Sequence, residues 1–498
     1  MLKILNTQQI RELDQFTIQH EPVASIDLME RACKAFCSWF TRTVKPECRV
    51  GVVCGTGNNG GDGLGVARIL SEWNYSVSVW IVRGGVKESE DFKTNLERLP
   101  KTIVKVNLTE GVDPHVFDGF DMLIDAIFGS GLTRPVEGIY KSVIDAINQS
   151  KAIRIAVDIP SGLRADSHSS GSIVMADHTV SFQLPKLAFL LSENAPFVGE
   201  WHVVDIGLSK KRIEQLNTHH FLLSRSGIIG NVKPLKKFDH KGNRGRALLI
   251  AGSYGKMGAA ILAARSAFRT GIGLLTVHVP GNGYSIIQTA VPEAMASIDD
   301  SPTCFTTVPE LSHYDAIGIG PGLGQDTQTV KSLGTVMERF DHPMVLDADA
   351  LNLMAQNREL LAIIPRHSIL TPHPKEFERL AGSWTDDFEK IERQKSFAIK
   401  NRVVVVLKGA HTSIASPDGD IYFNTTGNPG MATGGVGDVL TGVLTALLAQ
   451  GYSPLEAAQL GVWLHGQAGD DAARKHGIRG LIASDITDHL ADAYSHLI

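Results

Sequence analysis

The stretch Asn428–Gly442, NPGMATGGVGDVLTG, decides how the second half of the chain folds. Gly427 precedes it, Gly430, Gly434, Gly435 and Gly437 crowd its middle, and Gly442 ends it. A strand-like run, Ile421–Phe423, comes before, and a helix-like run, Val439–Leu448, follows. This is a glycine-rich turn opening a helix, with Asp438 in the first turn. Glycines let backbone N–H groups approach an anion closely, and the helix N-terminus adds partial positive charge. A carboxylate aimed at such a hole would repel a bound phosphate, so Asp438 reads as a proton-handling group beside it. Helix capping alone would explain the acid but not the glycines around it.

The elements leading into this stretch follow one rule. Ala247–Gly252 runs into GSYGKMG, Gly252–Gly258, with an Ala-rich helix over Ala259–Thr270 and a further strand at Leu274–Val279. Ala316–Gly320 runs into GPGLG, and Met344–Leu346 ends at Asp347 and Asp349. Ile369–Leu370 leads into TPHPKEF, Thr371–Phe377, and Val403–Leu407 into KGAHT, Lys408–Thr412. Each glycine or acid cluster follows a strand, which predicts a three-layer α/β domain with its cleft on the strand-end side. Two prolines hold His373 extended, either as a proton donor or shuttle or as a structural turn residue. Lys408 at a strand end is a candidate phosphate contact. The sum is an adenine-nucleotide cradle with one acid at its anion hole.

The first half repeats the rule. Residues 6–20 and 24–42 read as helices, the second with an apolar face of Leu28, Met29, Ala32, Cys33, Phe36, Trp39 and Phe40. Strands are expected at Val50–Cys54, Val77–Val82, Met122–Ala126 and Ile153–Ile159, and helices at Gly65–Trp73 and Tyr140–Asn148. Such alternation means a parallel sheet covered on both faces, with ligands beyond the carboxyl ends of the strands. GTGNNGGDG, Gly55–Gly63, is not the GxGxxG dinucleotide fingerprint. The informative feature is convergence. Asn58, Asn59, Asp62, Asp125, Asp158 and Ser161 offer oxygen ligands from three neighbouring loops, suited to a hard cation and a phosphate-bearing ligand. Taken singly, each could be a turn former or a helix cap.

Composition narrows the class. A chain of 498 residues is too long for one ordinary core and implies two or three domains. A net charge of −5 with no basic block argues against nucleic acid as a partner. No apolar run is long enough to span a bilayer. The N-terminus turns polar after Leu5 and lacks the apolar core of a signal peptide. Cysteines 33, 37, 48, 54 and 304 are an odd set, and Cys33 and Cys37 sit on an apolar helical face as small buried hydrophobes. A reduced, cytoplasmic protein is expected. Residues 209–246 are rich in Lys and Arg and read as a solvated connector. His240–Gly242 with Arg244–Arg246, directly before a strand, has a second reading as a phosphate-facing loop.

GTGNNGGDGLGVAR, DAIFGSGLTRPVEG and DIPSGLRAD resemble the three signature segments of the NAD(P)H-hydrate epimerase (YjeF N-terminal) family. The resemblance covers about residues 1–215 and implies a Rossmann-like α/β/α domain, placed at 1–218. It implies that the domain interconverts the two C6 epimers of hydrated NADH or NADPH. It implies K+ held by Asn59, Asp125 and Ser161. The hydrated dinucleotide would contact Asn58, Asn59, Gly60, Gly61, Asp62, Gly129, Ser130, Gly131, Leu132, Thr133, Arg134, Pro135, Tyr140 and Asp158. Opening and reclosing the hemiaminal ring needs an acid/base group, and both Asp62 and Asp158 are candidates. Leu64 stands where the family often has an aromatic residue, and Ser130 is a conservative variant.

HKGNRGRALLIAGS, GIGPGLG, LTPHPKEFERL, VVVLKGAHT and NPGMATGGVGDVLTG are similar, in that order, to segments of the NAD(P)H-hydrate dehydratase (YjeF C-terminal) family. This implies a ribokinase-like second domain, placed at 225–498, that removes water from the S-epimer while hydrolysing a nucleotide. Ala260, Gly322, His373 and Asp438 would contact the hydrated nicotinamide nucleotide. Lys408, Gly409, Ala410, His411, Thr412 and Gly437 would contact the adenine nucleotide, with Asp438 as catalytic base and Mg2+ on the phosphates. The fusion looks bacterial, which favours ADP over ATP. Lys375 stands where the family commonly has Gly. The family also suggests a homo-oligomer. Two rivals remain: a ribokinase-like small-molecule kinase fused to a ligand-binding domain, and a non-catalytic nucleotide sensor.

Overall fold

A computed structural model describes residues 1–85 and 87–498. The chain forms two compact units. One comprises Lys3–Thr218 with Asp386–Phe388, the other Met1–Leu2, His219–Thr385 and Glu389–Ile498. The short excursions at residues 1–2 and 386–388 leave no mark on composition.

In the smaller unit, parallel strands lie in the order Val104–Leu108, Ser76–Val82, Arg49–Cys54, Met122–Ala126, Ile153–Val157, His178–Phe182, Glu200–Val204. This is a doubly wound, Rossmann-like sheet. Its order reverses between Arg49–Cys54 and Met122–Ala126, where such folds bind ligands. The Ser25–Thr43 and Asn58–Glu72 helices pack on one face around Phe36, Phe40 and Leu64, and Gly138–Gln149 covers the other around Tyr140 and Ile144. Leu64 is fully buried, so the aliphatic side chain fills its place in the core.

One expected boundary is wrong. Helix begins at Asn58 and not at Gly65, so most of GTGNNGGDG is helix and not turn. Low glycine propensity argues for a turn, but tertiary packing overrides it. A Cβ at Gly60 would come within 1.9 Å of the Gly55 carbonyl oxygen, and one at Gly63 within 2.5 Å of Ala126 Cβ. The glycines let the first turns of this helix press onto the strand ends, which brings Asn58, Asn59 and Asp62 to the switch point.

The larger unit has a parallel core of Met295–Ile298, Leu274–Val279, Arg246–Ile250, Ala316–Ile319, Met344–Leu346, Ile369–Leu370 and Val404–Leu407. Antiparallel Thr412–Ala415 and Ile421–Asn424 extend it, and His220–Leu222 adds a parallel strand. This is the ribokinase-like arrangement. Its central helix is Val436–Ala449, buried along nearly its whole length between Met257–Arg269 and the sheet. Each fully buried Val or Leu there contributes about 1.5–3 kcal/mol. A Cβ at Gly442 would lie 2.0 Å from the Ala263 carbonyl oxygen, so this glycine sets how closely the two helices approach. That packing fixes where the helix N-terminus, and Asp438, point.

Candidate active sites

In the smaller unit a cleft of about 530 Å³ opens at the switch point. Asn58, Asn59, Asp62, Gly129, Ser130, Gly131, Leu132, Thr133, Arg134 and Asp158 all line it. The N-cap of the Asn58–Glu72 helix is Gly57, with no side chain bonded to the first amides. Those amides, with Arg11 and Arg134 on the cleft wall, make an anion-binding surface. Other expected contacts stand behind the cleft. Gly60 and Gly61 are buried, Pro135 is exposed beyond the Gly129–Arg134 loop, and Tyr140 is 7% exposed. The Tyr140 ring lies 4.7 Å from that of Phe128, and its hydroxyl accepts from the Gly84 amide at 3.2 Å. Its place is that of a support for the loop.

Asp125 and Ser161 meet at the bottom. The Ser161 hydroxyl donates to Asp125 Oδ1 at 2.6 Å, the Ser161 amide to Oδ2 at 2.7 Å and the Ile127 amide to Oδ1 at 3.2 Å. Burial pushes the Asp125 carboxyl up to about 6, against these hydrogen bonds. Asn59 is buried as well, and its side-chain Nδ2 lacks a hydrogen-bond partner among the described residues. Turning that amide would present its oxygen instead, an acceptor that a cation satisfies. Carboxylate, amide and hydroxyl oxygens are the donor set of a hard monovalent or divalent ion.

Asp158 has a left-handed backbone, φ 66°, and its Oδ1 accepts from Lys186 Nζ and from the Phe182 amide at 3.0 Å. Lys186 is 3% exposed and also donates to Ser181 Oγ at 2.7 Å. Burial first, then the negative charges of Asp158, Asp14 and Asp91, holds the Asp62 carboxyl well above its ordinary range. Burial and Asp158 raise Asp14 to about 6, with Lys186 opposing. Three carboxyls and one ammonium thus share the cleft. Asp14, Arg11 and Lys186 belong to the cleft but lie outside the sequence motifs. Lys186 follows a strand and obeys the strand-end rule, whereas Asp14 and Arg11 lie on the first helix and carried no signal.

In the larger unit, Gly435 is the N-cap of the Val436–Ala449 helix, at φ 89°, with no side chain bonded to the first amides. That left-handed backbone favours glycine. Asp438 lies in the first turn, and burial, then Asp347, raises its carboxyl to about 6 while Lys408 opposes. Lys408 Nζ donates to Asp347 Oδ1 at 2.8 Å, and Thr441 Oγ1 donates to Asp347 Oδ2 at 2.7 Å. A Cβ on Gly437 would lie 3.3 Å from Lys408 Nζ, so the ammonium sits against the helix start. His465 Nε2 lies 3.0 Å from the Val436 carbonyl oxygen, and burial pushes the imidazole down to about 4. It is therefore a neutral donor that pins this turn.

His373 is the N-cap of Pro374–Ala381. Its Nδ1 accepts from the Lys375 and Glu376 amides, and its own amide donates to Glu376. Burial, then Lys408 and Arg379, lowers its pKa. With Nδ1 accepting, the neutral ring keeps its proton on Nε2 and can donate it. The turn role and a donor role are thus compatible. Lys375 needs no left-handed backbone in this helical turn, so the missing glycine is without consequence. Gly322 does need one, at φ 61°, and a Cβ there would come 2.8 Å from the Lys256 carbonyl oxygen. Gly409 and Ala410 are exposed in the turn that Thr412 closes onto Gly409, with His411 between them. Ala260 is fully buried in the core, beneath Gly252. Asp349 accepts from the Gly324 amide, Gln325 and Lys256. Burial raises its pKa, and these bonds outweigh that to leave it below the ordinary value.

Known proteins share both units. The family described as YjeF-related protein N-terminus matches residues 25–188, and that described as NAD(P)H-hydrate dehydratase matches 247–492. The bifunctional NAD(P)H-hydrate repair enzyme Nnr of Moorella thermoacetica is 36% identical, over 98% of this chain and 96% of that relative. The Escherichia coli K12 protein of the same name is 34% identical, over 92% of this chain and 88% of its own length. Among solved structures, a ribokinase-like superfamily protein from Enterococcus faecalis is 27% identical with a TM-score of 0.50. That match covers 56% of this chain and 98% of that one.

Proposed function

The chain belongs to the family of bifunctional NAD(P)H-hydrate repair enzymes, and from that premise we propose how its two units divide the chemistry. The smaller unit, 1–218 in the sequence reading, epimerises the R and S hydrates. The larger, 225–498, dehydrates the S hydrate to NAD(P)H, consuming ADP. What supports the second assignment most directly is Asp438, a carboxyl raised to about 6 beside an uncapped helix N-terminus and Lys408.

The hydroxyl on C6 is a poor leaving group. Asp438 takes its proton, and the oxygen accepts the terminal phosphoryl group of ADP, releasing AMP. The amides at Gly435–Gly437 and the Lys408 ammonium hold the charge of the transferring group. The C6–O bond then breaks, phosphate leaves with the bonding pair, and loss of the C5 proton restores the ring double bond. Asp347 is engaged by Lys408 and Thr441, and Asp349 by Gly324, Gln325 and Lys256. These carboxylates fit a Mg2+ carried on the nucleotide and not one in a protein cage. Such an ion would offset charge on the phosphate oxygens.

In the smaller unit Asp62, its carboxyl held above the ordinary range by burial, donates its proton to the ring nitrogen as the C6–N1 bond opens. Asp158, oriented by Lys186, takes the hydroxyl proton. Reclosure on the other face reverses both transfers. Asn59, Asp125 and Ser161 would hold K+, which would balance the buried Asp125 charge and tie the loops together. Replacing K+ by Li+ is expected to slow epimerisation severalfold in the wild type and to change little in Ser161→Ala. An undiminished rate in Li+ would remove the ion from the account.

A repair assay at 340 nm tests the whole reading. An R/S mixture of hydrated NADH with ADP should return to full NADH absorbance. Recovery that stops at the S fraction would refute the epimerase assignment, and recovery with ATP alone would overturn the nucleotide. No recovery with either sinks the repair reading.

A further inference from the structure

The last two strands of the smaller unit carry a second cluster of donors, far from the cleft. His178 opens the His178–Phe182 strand, and Glu200 and His202 lie on the adjoining edge strand, Glu200–Val204. The parallel register sets His178 directly beside Glu200, with His202 beside Val180. Glu200 and His202 are two apart and so share a face of the sheet. His178 Nδ1 lies 3.7 Å from Glu200 Oε2, and His202 Nε2 lies 3.8 Å from Glu200 Oε1. One donor atom from each residue falls within 4.8 Å of the other two.

These distances are too long for hydrogen bonds. The two ring nitrogens facing Glu200 are themselves buried and lack a hydrogen-bond partner among the described residues. An unpaired buried polar atom is costly, and the cluster holds two aimed at one carboxylate. A tetrahedral ion with bonds of about 2.0–2.2 Å separates its ligands by about 3.3–3.6 Å, so small side-chain shifts would bring all three into range. Trp39 packs against both imidazoles, at ring distances of 5.7 and 4.9 Å, and closes one side. Glu200 is exposed and leaves a way in.

The geometry points to a binding site for a divalent transition metal of the Zn2+ class on His178, Glu200 and His202, with a fourth position open to solvent. Two imidazoles and one carboxylate select Zn2+, Co2+, Ni2+ or Cu2+ over Mg2+ and Ca2+. Asp158 meets the opposite end of the His178–Phe182 strand through the Phe182 amide, a strand rise of about 13 Å at about 3.3 Å per residue. The bound ion therefore clips the edge strand to its neighbour and takes no part in epimerisation.

Full-length protein, stripped with chelator and free of nucleotide, is titrated with ZnCl2 against a chromophoric chelator. A parallel titration with CoCl2 follows the visible absorption of the bound ion. One Zn2+ per chain is expected, along with Co2+ bands typical of low coordination and no competition from Mg2+. His178→Gln with His202→Gln should lose that equivalent while epimerising normally. Glu200→Gln, an exposed change that spares the fold, should weaken Zn2+ about tenfold or more. No Zn2+ bound below about 10 µM in the wild type, or unchanged binding in Glu200→Gln and the double variant, would overturn the proposal.

Discussion

Asp438→Asn is expected to cut dehydration of the S hydrate by about 10²–10⁴-fold, the usual worth of a positioned general base. Epimerisation in the same preparation should continue at the wild-type rate. The amide keeps the size of the carboxylate and the first turn of Val436–Ala449, but it cannot take the hydroxyl proton. A protein that only sensed nucleotide would instead show a change in binding and none in turnover. Wild-type dehydration should rise with pH through about 6, as the Asp438 carboxyl ionises, and that limb should be missing from the residual activity of the variant. Stability should move the other way. The folded-state pKa of Asp438 lies above the unfolded value of 3.8. Its favourable contribution is complete below 3.8 and is lost as pH rises through about 6. Above that pH the ionised, partly buried carboxylate costs the fold about 2–3 kcal/mol at most. The amide removes the cost, so Asp438→Asn should melt at or above the wild-type temperature at pH 8 and lose that advantage at pH 4.5. A variant that loses activity and also melts lower at pH 8 would mean that Asp438 holds the turn together and is not its base.

The strand-end rule made most of both sites legible. Asp125, Asp158, Ser161 and Lys408 each stand at or just past a run of apolar residues, and a parallel sheet gathers such positions at one edge, while Asp438 is marked by the glycine-rich turn that opens its helix. What stayed hidden depends on chain crossings or on close packing. Arg11 and Asp14 lie on the first helix, and no local pattern says that its polar face closes the cleft. The Asp347–Lys408 pair joins residues 61 apart in sequence, although each sits at its own strand end. The start of the Asn58–Glu72 helix is hidden because glycine propensity is local, while the need for Gly60 is set by the Gly55 carbonyl pressed against it. Tyr140 was expected on the ligand and is buried, because a Tyr at a helix start serves equally well as a prop for the loop in front of it.

Asp62→Asn should separate the two activities from the opposite side. Epimerisation should fall by about 10²–10⁴-fold, while the S hydrate alone is dehydrated at the wild-type rate. In the 340 nm assay an R/S mixture would then recover quickly to the S fraction and stall, with spontaneous epimerisation setting the slow remainder. The reason is the proton. Burial, with Asp158, Asp14 and Asp91 adding repulsion, makes the Asp62 carboxyl hold a proton far above the usual carboxylate range. An amide at this position fills the space but has no acidic proton to give to the ring nitrogen. Asp14 is raised by burial and Asp158 and not by Asp62, so the same substitution should leave the Asp14 carboxyl near its present value of about 6. Asp158→Asn, by contrast, removes a charge that raises Asp14 and should bring that carboxyl down. NMR of the Asp carboxyls reads both outcomes, and a fall of Asp14 in Asp62→Asn would mean that Asp62 is ionised and cannot be the acid. Were Asp62→Asn to epimerise normally while Asp158→Asn stalled, the proton chemistry would fall to Asp158 and Asp62 would only line the cleft.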